Sequence, residues 1–317
     1  MKATLEIRQA VRPWVQKSVA RILIGVSGGA DSMALALATI AEAKEPQVEV
    51  IAIIIDHQLQ RGSGDVALRT KQTLLLKGCD RVEIYPVEVV LIDGMESSAR
   101  RARYQAFDQA IDAYKPEYFL LGHTKNDQAE TVLMGLARGS GTRSLSGIAT
   151  ENGKFIRPML DITRDRTVAA CDENQISPWE DPHNSDSQYL RVRARTSVLP
   201  LMEEQLGPGI VDGLARSARI LREDADALDL IAGELFATLQ FRDIEVSALE
   251  ALPKAIRMRI LRSAIYQAGA PSGALGADHL TPVEALVSDW HGQGVISLPG
   301  GVKVERISGR LYLSTAK

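Results

Sequence analysis

Four short stretches of the chain carry residue types that can do chemistry together. The first is Ser27-Gly28-Gly29-Ala30-Asp31-Ser32. Two glycines permit a tight loop whose backbone N–H groups turn inward as an anion nest. Two serines add hydroxyls, and a helix starting there adds the positive end of its dipole. Such a loop is a cradle for phosphate groups, although it has neither the Gly-Lys-Ser/Thr of a Walker loop nor the spacing of a dinucleotide fingerprint. The plainer alternative is a helix capped after a glycine turn, with Asp31 complementing the dipole. The second stretch is Asp56-His57-Gln58-Leu59, directly after an apolar run; there Asp56 can equally cap the segment that follows. The third is Gly122-His123-Thr124-Lys125-Asn126-Asp127-Gln128-Ala129-Glu130-Thr131. Asp127 and Glu130 stand at i and i+3, so on a helix their carboxylates share a face and can hold Mg²⁺ or a substrate ammonium. Thr124 with Asp127 also fits a capping box, which leaves Glu130 unexplained. The fourth is Tyr189-Leu190-Arg191-Val192-Arg193-Ala194-Arg195, whose guanidinium forks suit phosphate oxygens of a nucleotide or an RNA backbone.

The elements that must position these stretches are legible from the pattern. Apolar, largely β-branched runs at 22–26, 48–55, 81–87 and 118–122 alternate with helical stretches at 31–42, 65–77, 96–114 and 126–138. This alternation implies right-handed βαβ units and an α/β fold with a doubly wound parallel sheet. Such a sheet binds ligands at the carboxyl ends of its strands, where three of the four stretches fall. Beyond Leu206 the grammar changes. Val211, Leu214, Ala218, Leu221, Ala225, Leu228, Ala232 and Leu235 form a heptad seam, expected to pack inside a second, smaller, mainly helical domain; a homodimeric coiled coil is the alternative. A further helix is expected over 246–267, then short alternating strands over 294–314. The boundary falls near 206–212, giving a catalytic domain at 1–208 and an accessory domain at 209–317.

Composition bounds the function. With 317 residues, 45% hydrophobic and 24% charged, the chain is expected to fold as about two globular domains. A formal net charge of -3 argues against a protein that is basic all over, yet local basic groups remain possible RNA footprints. Three such groups occur: Arg100, Arg101 and Arg103; Arg191 to Arg195; and Lys254, Arg257, Arg259 and Arg262, with no acidic residue between the last four. Solvated helix faces are the alternative for the last group. The two cysteines, Cys79 and Cys171, form no metal or disulfide motif, which points to a reducing cytoplasm. No apolar run approaches the ~20 residues of a membrane helix, and charges interrupt the first residues before a signal core could form.

The Ser27 to Ser32 loop after a first strand resembles the signature of the N-type ATP pyrophosphatases, the PP-loop superfamily. The stretch GHTKNDQAETVLMGLARGSG resembles the G-H-x-x-D-D-x-A-E-T…R-G-S-G element of the tRNA(Ile)-lysidine synthases within it. Ala99-Arg100-Arg101-Ala102-Arg103-Tyr104, Arg157-Pro158-Met159-Leu160, Trp179-Glu180-Asp181-Pro182-His183-Asn184 and the arginine cluster fit the same pattern, over residues 21 to about 206. Two positions depart from it: Asn126 stands where the family has the first of two aspartates, and Val192 where it has an asparagine.

The resemblance implies an ATP-dependent ligase forming a carbon–nitrogen bond. In that reaction the C2 oxygen of the wobble cytidine of a CAU-anticodon tRNA(Ile) attacks the α-phosphorus of ATP. L-lysine then displaces AMP. The implied roles are phosphate contacts from Ser27, Gly28, Gly29, Ala30 and Ser32, and metal or phosphate organisation by Asp31. Asp56, His57 and His123 would face the nucleotide, and Asp127 and Glu130 would hold lysine or Mg²⁺. Arg191 or Arg195 would stabilise the transition state. Arg100, Arg103, Arg193, Lys254, Arg257, Arg259 and Arg262 would contact tRNA. Two rivals share the nucleotide half: a PP-loop tRNA thiolase, which would need positioned cysteines, and a non-catalytic nucleotide sensor.

Overall fold

A computed structural model describes residues 1–60, 62–91, 94–139, 141–182 and 186–315. The chain starts with α1 (Lys2–Lys17), whose Ala3, Ile7, Val11 and Val15 recur every fourth residue and are fully buried; the alternation from Arg21 onward gives no sign of it. The predicted alternation follows: β1 (Arg21–Val26), α2 (Ala30–Ala43), β2 (Glu49–Asp56), α3 (Ser63–Leu76), β3 (Arg81–Pro86), α4 (Met95–Tyr114), β4 (Tyr118–Leu121) and α5 (Lys125–Ala137). Then come α6 (Thr142–Leu145), the two-residue strands β5 (Glu151–Asn152) and β6 (Phe155–Ile156), and α7 (Arg164–Glu173).

The described strands of this part form a six-stranded sheet in the order β3-β2-β1-β4-β6-β5, parallel except for β5 against β6. Ile22, Leu23, Ile24, Ile51, Ile53 and Leu120 are fully buried, as strands covered by helices on both faces must be. The strand order reverses direction between β1 and β4, so the loops leaving these two strands open onto a topological switch point. Those loops begin at Ser27 and Gly122.

After Tyr189 the chain enters α8 (Leu190–Arg193), a π-helical turn (Ala194–Val198), α9 (Leu199–Leu206) and α10 (Ile210–Ala237). Two compact units result, Met1–Leu221 and Arg222–Lys317. The division lies inside α10 rather than at 206–212, because a continuous helix contributes its first turns to one unit and its last turns to the other. Along its seam Ala218, Ala225 and Ala232 are buried, and Ala232 and Leu228 join the apolar core of the second unit.

The second unit holds β7 (Asp243–Glu245), α11 (Val246–Glu250), α12 (Lys254–Gln267), α13 (Ala277–Ser288), β8 (Ile296–Ser297), β9 (Val302–Ile307) and β10 (Arg310–Thr315). Its sheet is antiparallel, ordered β7-β10-β9-β8. The single helix expected over 246–267 is broken, since Pro253 has no N–H to continue α11 and becomes the residue before α12. Among the described residues no helix is long and apolar enough to cross a membrane.

Candidate active site

The loop between β1 and α2 is shaped by its serines and by two close approaches. Ser32 Oγ accepts from the Ser27 amide at 3.1 Å and donates to the Gly29 carbonyl at 3.0 Å. The Ser27 amide and the Ser32 hydroxyl therefore set the curvature of the loop. The amides of Ala30 and Asp31, in the first turn of α2, have no intrahelical acceptor, which is the arrangement that receives phosphate oxygens. Gly28 sits at φ +88°, and a Cβ there would lie 2.8 Å from Thr70 Oγ1. Gly122, at the end of β4, passes so close beneath that its Cβ would meet the Asp31 backbone at 3.1 Å. The Trp179 amide donates to the Gly28 carbonyl at 2.9 Å, and Gln60 Nε2 donates to Asp181 Oδ1 at 2.7 Å. The segment around Trp179 thus straps the loop from outside; His183 and Asn184 of that motif, and Ser140, lie outside the described residues.

Asp31 is held by two side chains of α7. Its Oδ2 accepts from Arg164 Nε at 3.1 Å and its Oδ1 from Thr167 Oγ1. Burial raises its carboxyl above the ordinary range, against the pull of Arg164 and Thr167.

Asp127 completes the capping box read from the sequence and also faces the arginines of the site. Its Oδ2 accepts from the Thr124 amide at 2.8 Å and the Thr124 hydroxyl at 2.9 Å, completing the capping box. Its Oδ1 faces Arg164 Nη2 at 3.6 Å. Burial pushes this carboxyl upward, but Arg164, the Thr124 amide, His123 and Arg191 together hold it below its usual value. Glu130, fully buried, is already satisfied: Arg191 Nε donates to Oε2 at 2.9 Å, and Arg195 reaches Oε1 at 2.6 Å and Oε2 at 3.1 Å. Both oxygens are engaged, so Glu130 anchors two arginines instead of holding lysine or a metal. The π-helical turn carries Arg195 onto the same side as Arg191, as π-turns at functional positions do.

Arg164 is the residue the sequence reading missed. It bonds to Asp31, stands 3.6 Å from Asp127 and has Nη1 3.9 Å from Glu130. It ties the phosphate loop to the start of α5. The available signal was Thr163-Arg164 opening a helix; the Arg164 amide donates to Asn126 Oδ1 at 2.9 Å. Asn126 therefore caps α7 as an acceptor, a task an uncharged amide oxygen performs as well as an aspartate. Val192, at the other departure, is buried.

The remaining predicted residues divide. Asp56 Oδ1 accepts from the Gln58 amide at 3.0 Å, closing a local turn. His57 Nδ1, His123 Nδ1 and Arg157 Nε are buried with no hydrogen-bond partner among the described residues. Burial, with Arg103 nearby, pushes His57 down to about 4; burial likewise lowers His123. Arg193 is exposed, bonded to the Ser187 and Gln188 carbonyls, and Arg100 and Arg103 are exposed on α4. In the second unit the basic group is corrected. Arg257 is buried against Glu284, with Nε–Oε1 at 3.0 Å, and Arg259 is held by Asp229 at 2.6 Å. Only Lys254 and Arg262 of that group are exposed. Carboxylates distant in sequence supply the counter-charge that the run itself lacks.

Both thiols are buried. Burial pushes Cys171 up to about 12 and also raises Cys79, so neither is an activated nucleophile.

Comparison with known proteins decides the family. A family described as "PP-loop domain" matches residues 2–202, and one described as "TilS substrate binding domain" matches residues 245–312. A tRNA(Ile)-lysidine synthase of Streptomyces coelicolor is 46% identical over 301 residues, covering 92% of this chain and 84% of the relative. The chain belongs to the tRNA(Ile)-lysidine synthase family. Lysidine synthases of Thermobifida fusca (42% identity, 97% of this chain and 95% of the relative) and Rhodococcus erythropolis (44%, 98% and 95%) match over nearly their whole lengths. Membership makes the chain an ATP-dependent ligase built on a PP-loop domain. A solved U34-tRNA thiolase from Methanococcus maripaludis shares the fold, with a TM-score of 0.58 at 18% identity over 70% of this chain and 79% of the thiolase.

For a divalent ion, no group of three or more His, Cys, Asp or Glu is arranged as a site among the described residues. Mg²⁺ asks for less, one or two carboxylates with the remainder from phosphates and water. Asp31 and Asp127, whose side chains keep 20% and 12% exposure, would have an edge to offer such an ion, whereas Glu130 is sealed at 0%.

Proposed function

We propose that this chain joins L-lysine to C2 of the wobble cytidine in a CAU-anticodon tRNA(Ile), consuming ATP and releasing pyrophosphate and AMP in the cytoplasm. The observation that carries the reading is the bridge made by Arg164 between Asp31 of the phosphate loop and Asp127 and Glu130 of α5. It joins a nucleotide half and an amine half into one charge-balanced centre.

The loop amides and the α2 dipole would hold the β and γ phosphates, the leaving group of the first step. The cytidine O2 attacks the α-phosphorus and the bond to pyrophosphate breaks. Arg164, Arg191 and Arg195 each expose about a quarter of their side chains, so part of each cation would be within reach of the charge that builds on the phosphoryl oxygens. Mg²⁺, held by Asp31 and Asp127, would neutralise pyrophosphate charge. In the second step the lysine amine attacks C2 and AMP departs. Asp127, kept ionised by its neighbours, would bind that amine as an ammonium through Oδ1; the form that attacks is the free amine, and the proton it gives up passes to water. Catalysis here is mainly positioning and charge neutralisation. Arg100, Arg103, Arg193, Lys254 and Arg262 would supply phosphate contacts to the tRNA.

The buried, unactivated thiols speak against sulfur transfer. Pyrophosphate release measured with ATP, lysine and the CAU tRNA tests the reading. Release should require the tRNA, and AMP release should require lysine as well; turnover without either substrate overturns it, and binding without turnover favours the sensor.

A further inference from the structure

Ser97, Arg100, Arg101, Tyr104, Gln105 and Asp108 line an open depression of about 420 Å³ along one face of α4. At 1.5 Å of rise per residue the face is roughly 16 Å long, enough for a short run of nucleotides. Near its middle the Arg100 guanidinium lies over the Tyr104 ring, 4.9 Å from the centroid. The ring cannot swing away, because Phe107 and Phe155 meet it edge-on at 5.7 and 5.2 Å. Its hydroxyl accepts from Arg100 Nη2 at 3.5 Å and from Arg157 Nη2 at 3.4 Å.

Arg157 connects this face to the candidate active site. It directly follows β6, whose Ile156 pairs in register with Leu120 of β4. It therefore stands at the carboxyl end of the sheet beside the strand that leads to His123. Arg157 is only 4% exposed, and its Nε is a buried charged donor with no partner among the described residues. Such a donor is costly to leave unmet, and an ordered water or an oxygen of a bound ligand can complete it.

We propose that the Arg100–Tyr104 pair is a stacking platform for an unpaired pyrimidine of the RNA substrate, with Arg157 as the positioning residue behind it. This rests on the ligase reading and specifies how its RNA is presented. The chemistry requires a base taken out of its stack, and guanidinium planes and aromatic faces are what proteins offer such bases. Three arginines within four residues of α4, Arg100, Arg101 and Arg103, match the phosphates that accompany that base.

The test uses the full-length enzyme and CAU tRNA(Ile) carrying a fluorescent cytidine analogue at the wobble position. Binding to wild type should quench the analogue. Arg100→Ala should abolish the quench and raise the apparent KM for tRNA at least tenfold, with the KM for ATP unchanged. Arg100→Lys, which keeps the charge and loses the plane, should restore the salt dependence of tRNA binding but not the quench. Tyr104→Phe, which frees Arg157 from the shared hydroxyl, should lower kcat more than it raises KM. Full quenching with Arg100→Ala, or its recovery with Arg100→Lys, overturns the platform. Failure of the wild type to form AMP with lysine and this tRNA would instead strike the ligase reading, and the quench would still decide the platform by itself.

Discussion

Two buried arginine–carboxylate clusters, one in each unit, look alike on paper and do different things. In the first unit Asp31, Asp127 and Glu130 share Arg164, Arg191 and Arg195. The arginines come from α7, α8 and the π-helical turn, and each keeps about a quarter of its side chain open. In the second unit Arg257 and Glu284 are nearly closed, at 10% and 5% exposure. There the Leu252 carbonyl accepts from Arg257 and Ser288 Oγ donates to Glu284. A closed and saturated pair has nothing left to give a ligand. An open one, with cations balanced but not used up, is prepared for an anion that arrives and a charge that develops.

The sharpest way to break this contrast is Asp31→Asn, which keeps the shape and removes the charge. Pyrophosphate release should fall by at least about a hundredfold, while the thermal midpoint moves by only a few degrees. A variant with wild-type turnover would deny the loop its role. Glu284→Gln should do the reverse. Removing one partner of a buried pair costs about 3 kcal/mol or more, read by urea unfolding, with ATP-dependent steps unaffected. Arg195→Lys should come next, lowering kcat roughly tenfold, which corresponds to one charge-assisted hydrogen bond; stability should change little, since the lysine keeps a cation beside Oε1 of Glu130 and Arg191 still bonds Oε2. The smallest effect belongs to the exposed cations. Arg262→Ala should reduce the salt slope of tRNA binding by about 0.9, measured by titration at several salt concentrations. An equal change in slope from Arg257→Met would erase the distinction between the clusters.

A pH effect sharpens the picture of the orphaned histidines. His57 is held neutral to about 4 in the folded chain against 6.5 for the free group. The unfolded chain therefore binds the extra proton first. The stabilisation this provides is complete above pH 6.5 and is lost as pH falls towards 4. His57→Gln should flatten the unfolding free energy across that window relative to wild type; identical profiles would show that its environment does not depress it.

The alternation of strands and helices and the phosphate loop were legible because each is local. A β-branched run is buried on both faces wherever it occurs, and a glycine turn before a helix needs no distant partner to make a nest. The start of α5 was legible in its residues but only half in its roles. Asp127 caps and faces the site at once, whereas Glu130, read as a ligand, is consumed by two arginines more than sixty positions along the chain. Arg164 passed unnoticed because nothing beside it in sequence marks its partners. The basic run of α12 misled for the same reason, since Asp229 and Glu284 come from other helices.

By itself, then, the amino-acid order determined the βαβ framework, the nucleotide loop, the family and the inventory of charges. Only the tertiary structure decided which of those charges cancel and which stay open. Periodicity and turn chemistry act over a few residues and can be read along the chain. Electrostatic pairing acts through space over a few ångströms, and the chain has to fold before that distance is set.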